Sequence, residues 1–116
     1  MTAAVPRRGD VWLAQLDKVR PVVILTRDPL AGLLNAVIVA PITSMVRGLS
    51  TEAAVGIEDG IRHQSVANLD NVQLIARSRL TRRVGRARPA TMVSICVALA
   101  AATGCDASSA EPRFSR

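Results

Sequence analysis

Two short, unbroken apolar runs, Val22 to Leu25 and Ala36 to Ile42, dominate the hydrophobic pattern of this chain. Both are rich in β-branched residues and too short for a globular helix, which predicts two buried strands. Pro29 and Gly32 punctuate the loop between them. If the strands pair as an antiparallel hairpin, Val23 faces Ala40 and Leu25 faces Ile38. The same register sets Arg20 opposite Thr43, on one face of the sheet. A guanidinium and a hydroxyl then meet at the open end of the hairpin, which is the chemistry of an anion site. Taken alone, a solvated strand-end arginine beside an ordinary β-threonine is the commoner outcome, and one bulge would break the register.

The remaining pattern fills in around this hairpin. Gly9 to Leu16 alternates, with Val11 and Leu13 on one face and Trp12 and Ala14 on the other, and reads as a first strand. Met45 to Leu49 is a bend, Glu52 to Ile57 a weak strand, and Glu58-Asp59-Gly60 a turn. Gln64 to Leu69 and Asn71 to Ala76 read as closely joined strands, with Asp70 and Asn71 near the junction. Arg77, Arg79, Arg82, Arg83, Arg86 and Arg88 follow, and Leu80 and Val84 keep one side apolar, which suggests a short helical turn. The cluster reads equally as a solvated rim or as a patch for an RNA backbone or a partner. Pro89 opens the strongest helix signal. Met92, Ile95, Cys96 and Leu99 form its predicted buried stripe, and Gly104 closes it. No charge lies between Arg88 and Asp106, so this helix is expected to be buried beyond one face, near a subunit contact. Several short strands and one final helix predict a β-rich α+β fold, a small SH3-like β-barrel with a C-terminal helix. Residues 1–116 are expected to form one domain with flexible ends at 1–6 and 105–116.

Composition narrows the function. The 116 residues carry a formal net charge of +6 at pH 7, which favours polyanionic partners such as nucleic acid. Aromatic residues make up only 2% of the chain, Trp12 and Phe114, so base stacking has little to work with. Cys96 and Cys105 form no disulfide framework; on one helix they would sit roughly 13 Å apart, beyond disulfide reach. No apolar stretch follows Arg7 and Arg8 as in a signal peptide, and the uncharged run Pro89 to Cys105 is too short to span a bilayer. The single histidine, His63, excludes a two-histidine acid–base pair, and no spacing suggests a metal site.

Three segments in order, RGDVW from Arg8 to Trp12, RPVVILTRD from Arg20 and VIVAPITS ending at Ser44, resemble the MazF/PemK family of toxin endoribonucleases. The resemblance covers roughly Arg8 to Leu99. It implies that Arg20 and Thr43 are the catalytic pair, and that Lys18, Ser44 and the Asp70–Asn71 pair contact RNA. Asn71 can present a donor and an acceptor to a base edge, whereas ionised Asp70 can only accept. It further implies metal-independent cleavage of single-stranded RNA by the 2′-hydroxyl, leaving a 2′,3′-cyclic phosphate and a 5′-hydroxyl, without a cofactor. A homodimer in the bacterial cytoplasm, off the membrane and inhibited by a cognate antitoxin, completes the expectation. The Leu16-to-Val19 connection is shorter than the family's usual loop, so loop-based contacts do not carry over. Arg20 can neutralise and orient a phosphate, but it is a poor base, which leaves the group that takes the 2′ proton open. Two other readings stand beside this one: a gyrase-poisoning toxin of the same fold, and a barrel that binds nucleic acid without cutting it.

Overall fold

The computed structural model describes residues 5–105. Its strands are β1 (Asp10–Gln15), β2 (Val19–Ile24), β3 (Ala36–Thr43), β4 (Glu52–Val55), β5 (Ser65–Asn68), β6 (Gln73–Ala76) and β7 (Leu80–Arg86), followed by the helix α1 (Pro89–Thr103). The hairpin forms in the expected register: Val22, Val23 and Ile24 pair with Pro41, Ala40 and Val39. Leu25 donates its amide to the Ile38 carbonyl at 2.8 Å, which continues the ladder at the loop end.

The seven strands form one sheet in the order β4-β5-β3-β2-β1-β7, with β6 also paired to β3. It is bent like a barrel but does not close. β3 is the hub. Its first half pairs with β6, from Ala36 opposite Ala76 to Val39 opposite Gln73, and its end pairs with β5 through Ile42–Ala67 and Thr43–Val66. The tight turn Leu69–Asn71 joins β5 to β6 and therefore lies beside the middle of β3.

Strand alternation splits the apolar residues between two cores. Val11, Val23, Leu25, Ala40 and Ile42 pack against Ile95 and Ala98 of α1. Trp12, Ala14, Val22, Ile24, Val37 and Val39 close over Ala31 and Ile75. Arg20 continues the Val22–Ile24 series and Thr43 the Val37–Val39 series, so both extend the face of the second core out to its polar end.

Two expectations are corrected. Arg77 to Arg88 is not helical beyond one tight turn, Arg77–Arg79; Leu80–Arg86 is an edge strand antiparallel to β1, with bulges. On α1, the buried residues are Thr91, Ile95 and Ala98, while Cys96 is exposed. With apolar residues on every side, the helix's inward face is set by the sheet it meets rather than by its own period. The ends expected at 1–6 and 105–116 lie largely outside the described residues; of the part within them, Pro6 is buried. No helix among the described residues is long and apolar enough to cross a membrane.

A buried carboxylate fixes the start of α1. Asp59, 1% exposed, accepts from the Gly56 amide at 3.0 Å, the Arg88 amide at 2.8 Å and the Thr91 hydroxyl at 2.9 Å. Its residue-60 neighbour, Gly60, has φ 98° and lies against Gly85 of β7, where a side chain on either glycine would collide with the other segment's backbone. Burial pushes the Asp59 pKa up, but the amides, the hydroxyl and the Arg88 guanidinium together hold it below the usual carboxylate value. A carboxylate with a lowered folded pKa adds stability above the unfolded value, near pH 4, and loses it as pH falls through the folded value. Asp59→Ala is expected to cost on the order of 3 kcal/mol at pH 7, because it strands several buried donors. Urea unfolding at pH 7 and pH 3 checks this: the gap between wild type and variant should shrink at pH 3.

Candidate functional site

Pro21 and Pro41 lack amide hydrogens, so regular pairing of β2 with β3 ends at Val22–Pro41 and the hairpin opens beyond it. Arg20 and Thr43 stand at that opening. Both line a groove of about 670 Å³ on one side and a second of about 660 Å³ on the other. Arg20, laddered to Ala14, and Thr43, laddered to Val66, thus form the ridge between two clefts.

Arg20 is held in place by a residue that the sequence reading passed over. Asp17, in the three-residue connection of the β1–β2 hairpin, accepts from Arg20 Nε at 3.0 Å and from Nη2 at 3.1 Å. This two-pronged contact fixes the plane of the guanidinium. The hydrogen bond to Arg20 draws the Asp17 pKa down to about 2, and Asp17 in turn pushes the Arg20 pKa up. A guanidinium stays protonated in a protein, so Arg20 is unsuited to accept a proton. With Asp17 70% exposed, the pair is open to exchange: a phosphate can take the place of the carboxylate on the same fork. The i, i+3 spacing was the only signal in the sequence, and it gains meaning only once the hairpin is known.

Thr43 is oriented as well. Its hydroxyl oxygen accepts from the Met45 amide at 3.1 Å, which leaves the hydroxyl hydrogen to donate into the cleft. The bend that supplies this amide is shaped by Glu52, whose carboxylate gathers the amides of Arg47, Gly48 and Leu49 at 3.0, 2.9 and 3.3 Å.

The other expected site residues divide between the two clefts. Asp70 and Asn71 line the first, where Arg20, Thr43 and Asp17 also lie. Asp70 is engaged, accepting from the Thr51 hydroxyl at 2.6 Å. The Asn71 carboxamide has no partner among the described residues and is exposed. Lys18 and Ser44 line only the second cleft. His63 lines that second cleft too.

The arginine cluster is mostly structural. Arg83 and Arg86 reach the buried Asp10 at 3.3 and 2.8 Å, and Arg88 reaches Asp59 at 3.3 Å. Arg79 donates to the Gln15 carbonyl at 3.0 Å and Arg77 to the Gly32 carbonyl. Of the six, only Arg82 has no such partner among the described residues. Among the described residues, no group of three or more His, Cys, Asp or Glu side chains could hold a metal ion.

An arginine and a hydroxyl thus stand together on the ridge of a bent, helix-backed sheet, a pairing whose chemistry suits an anion. Residues 7–103 match the family described as PemK-like, MazF-like toxin of type II toxin-antitoxin system. The probable endoribonuclease MazF2 of Mycobacterium tuberculosis is 39% identical over 101 residues, 85% of this chain and 99% of that protein. Endoribonuclease MazF3 of the same species is 48% identical over 75 residues, 65% of this chain and 73% of that protein. The solved structure of the M. tuberculosis toxin MazF-mt6 superposes with a TM-score of 0.80 at 40% identity, covering 84% of this chain and 98% of that one. A mycobacterial endoribonuclease solved in complex with its cognate antitoxin also reaches 0.80, at 29% identity, covering 87% and 97%. The chain belongs to the PemK-like, MazF-like toxins of type II toxin–antitoxin systems. It is an endoribonuclease toxin of that family.

Proposed function

We propose that this toxin cleaves single-stranded RNA sequence-selectively and without a metal ion, by transesterification at Arg20 and Thr43. The observation that carries the reading is the ridge: a preoriented guanidinium and a hydroxyl with a free hydrogen line the same two clefts. Such a pair can bind a phosphodiester and stabilise added charge on it, and the one partner of the Thr43 hydroxyl among the described residues is an amide donor rather than a base that would activate it for attack. The RNA then supplies the nucleophile. Its 2′-oxygen attacks the adjacent phosphorus and gives up its proton, the bond from phosphorus to the 5′-oxygen breaks, and that oxygen takes up a proton. The products are a 2′,3′-cyclic phosphate and a 5′-hydroxyl.

In this reading the scissile phosphate displaces Asp17 from Arg20. The guanidinium neutralises charge on the non-bridging oxygens as the phosphorane forms. Thr43 donates to one of those oxygens, and Ser44 lies beside it. Asn71, with a free donor and acceptor, is suited to read a base edge, while Asp70 is partly spent on Thr51. The exposed Val93 and Val97 of α1, each 65% exposed, support a homodimer contact on that helix. A bacterial cytoplasm is the matching compartment. An acidic, disordered antitoxin segment would compete with RNA by folding on binding.

Thr43→Val replaces the hydroxyl by a methyl of similar shape at the end of β3. Its cleavage rate is expected to fall on the order of a hundredfold with the fold retained. Circular dichroism and single-turnover kinetics check both halves; a folded variant that cuts at the wild-type rate would remove Thr43 from the site. The whole reading is tested by incubating the purified protein with a long RNA in EDTA. Discrete cuts are expected. Intact RNA with inhibited gyrase would make the protein a gyrase poison, and intact RNA that is merely bound would make it a binding barrel.

A further inference from the structure

The two clefts beside the Arg20–Thr43 ridge differ in charge. The first carries the carboxylates Asp17, Glu52 and Asp70 against Arg20 and Arg47. The second carries Lys18, Arg62, His63, Arg82 and Arg83 beside Arg20, and no carboxylate among its lining residues. The fold builds this basic cleft by bringing distant segments together. The close approach of Gly60 to Gly85 brings the 60–63 segment against β7, so Arg62 and His63 line one cleft with Arg82 and Arg83. Lys18, from the β1–β2 connection, stands at the ridge end.

Three of the cleft's five Lys and Arg residues are without a neutralising carboxylate among the described residues, although the cleft also holds Arg20, which Asp17 neutralises. Arg83 is tied to Asp10, but Lys18, Arg62 and Arg82 have no partner among the described residues, and all three are exposed. Unpaired guanidinium and ammonium groups converging on one cleft repel one another, and a polyanion relieves that cost. A single phosphate on Arg20 would leave most of them uncompensated.

Resting on the nuclease reading, we propose that this second cleft is a backbone track for the RNA strand on one side of the cut. Lys18, Arg62 and Arg82 bind phosphates next to the scissile one. The strand crosses the ridge at Arg20 and Thr43, and its bases on the other side meet Asn71. The cleft with the carboxylates reads bases, and the cleft without them grips phosphates. RNA is favoured over a protein partner because Arg20 and Thr43 line the basic cleft themselves, so a strand bound at the ridge enters it without a break. Affinity and cut-site choice are thereby placed in different clefts.

The test uses full-length protein and an oligoribonucleotide made uncleavable by a 2′-deoxy sugar at the cut position. Binding is measured across 50–300 mM salt for wild type, Arg62→Ala/Arg82→Ala and the charge-keeping Arg62→Lys/Arg82→Lys. The alanine pair is expected to flatten the plot of log affinity against log salt by about 1.4, roughly 0.7 for each lost phosphate contact, and the lysine pair to restore it. On cleavable RNA, kcat/KM of the alanine pair should fall with affinity while the cut positions stay the same. An unchanged slope overturns the proposal. So does a loss of binding to an acidic peptide with the RNA slope intact, which would give the cleft to a protein partner. Failure of wild type to cut RNA would strike the nuclease reading instead, because the binding slope is read on RNA that cannot be cut.

Discussion

Arg20→Ala should lose cleavage by two to three orders of magnitude while remaining folded, about 3–4 kcal/mol of transition-state stabilisation. Arg20 is partly exposed near a strand end, and its one ion pair among the described residues is with an exposed carboxylate, so little of the fold depends on it. Removing it frees Asp17 into water rather than stranding it in the core, and the melting temperature should barely move. The loss falls on the reacting phosphate, which no longer has a fixed cation in its plane. It is also compounded: with the guanidinium gone, the Asp17 carboxylate is left unneutralised beside the same site and repels the substrate. Arg20→Lys keeps a charge but not the fork, and should recover only part of the rate. If Arg20 and Thr43 hold one phosphate, the double variant Arg20→Ala/Thr43→Val should lose less than the two single losses combined. Single-turnover rates for the four proteins give the answer. A folded Arg20→Ala within tenfold of wild type would remove the arginine from the chemistry.

The second large effect lies in the substrate. A strand with one 2′-deoxy sugar at the cleavage position should bind nearly as well as normal RNA, since one lost hydroxyl contact costs about 1 kcal/mol. It should not be cut there at all, however long the incubation, while other susceptible positions in the same strand are still cut. This follows from what the ridge lacks. A guanidinium stays protonated and is no nucleophile, and the partner of the Thr43 hydroxyl among the described residues is an amide donor rather than an activating base. Cutting at the deoxy position, read on a denaturing gel, would mean that water or a side chain attacks.

The hairpin was legible because its signals are local and strong. Two β-branched runs separated by Pro29 and Gly32 admit one register that buries both faces; the ladder of that register ends at Val22–Pro41, and Arg20 and Thr43 share the grooves just beyond it. The Asp70–Asn71 turn was legible for the same reason. The arginine-rich segment was not. Leu80 and Val84 fit a helical turn by spacing, but Leu80–Arg86 joins the open edge of β1, and its arginines are drawn to Asp10, a carboxylate at the other end of the chain. Buried Asp10 and Asp59 look like any surface acid in the sequence, because what buries them is tertiary. The face of α1 was misjudged at Cys96 because a helix apolar on all sides carries no mark of which side is outward. Asp17 escaped notice because a lone acid three residues before an arginine is common. The difference in charge between the two clefts needed the Gly60–Gly85 approach, a contact that no local pattern encodes.

The most direct test of the account is the chemistry of the ends left on RNA cut in EDTA, read by mass spectrometry of the fragments. Transesterification at the Arg20–Thr43 ridge predicts a 2′,3′-cyclic phosphate on the upstream fragment, resistant to a monoesterase, and a 5′-hydroxyl on the downstream one. A 3′-hydroxyl paired with a 5′-phosphate, or no cutting until a divalent metal is restored, would contradict it.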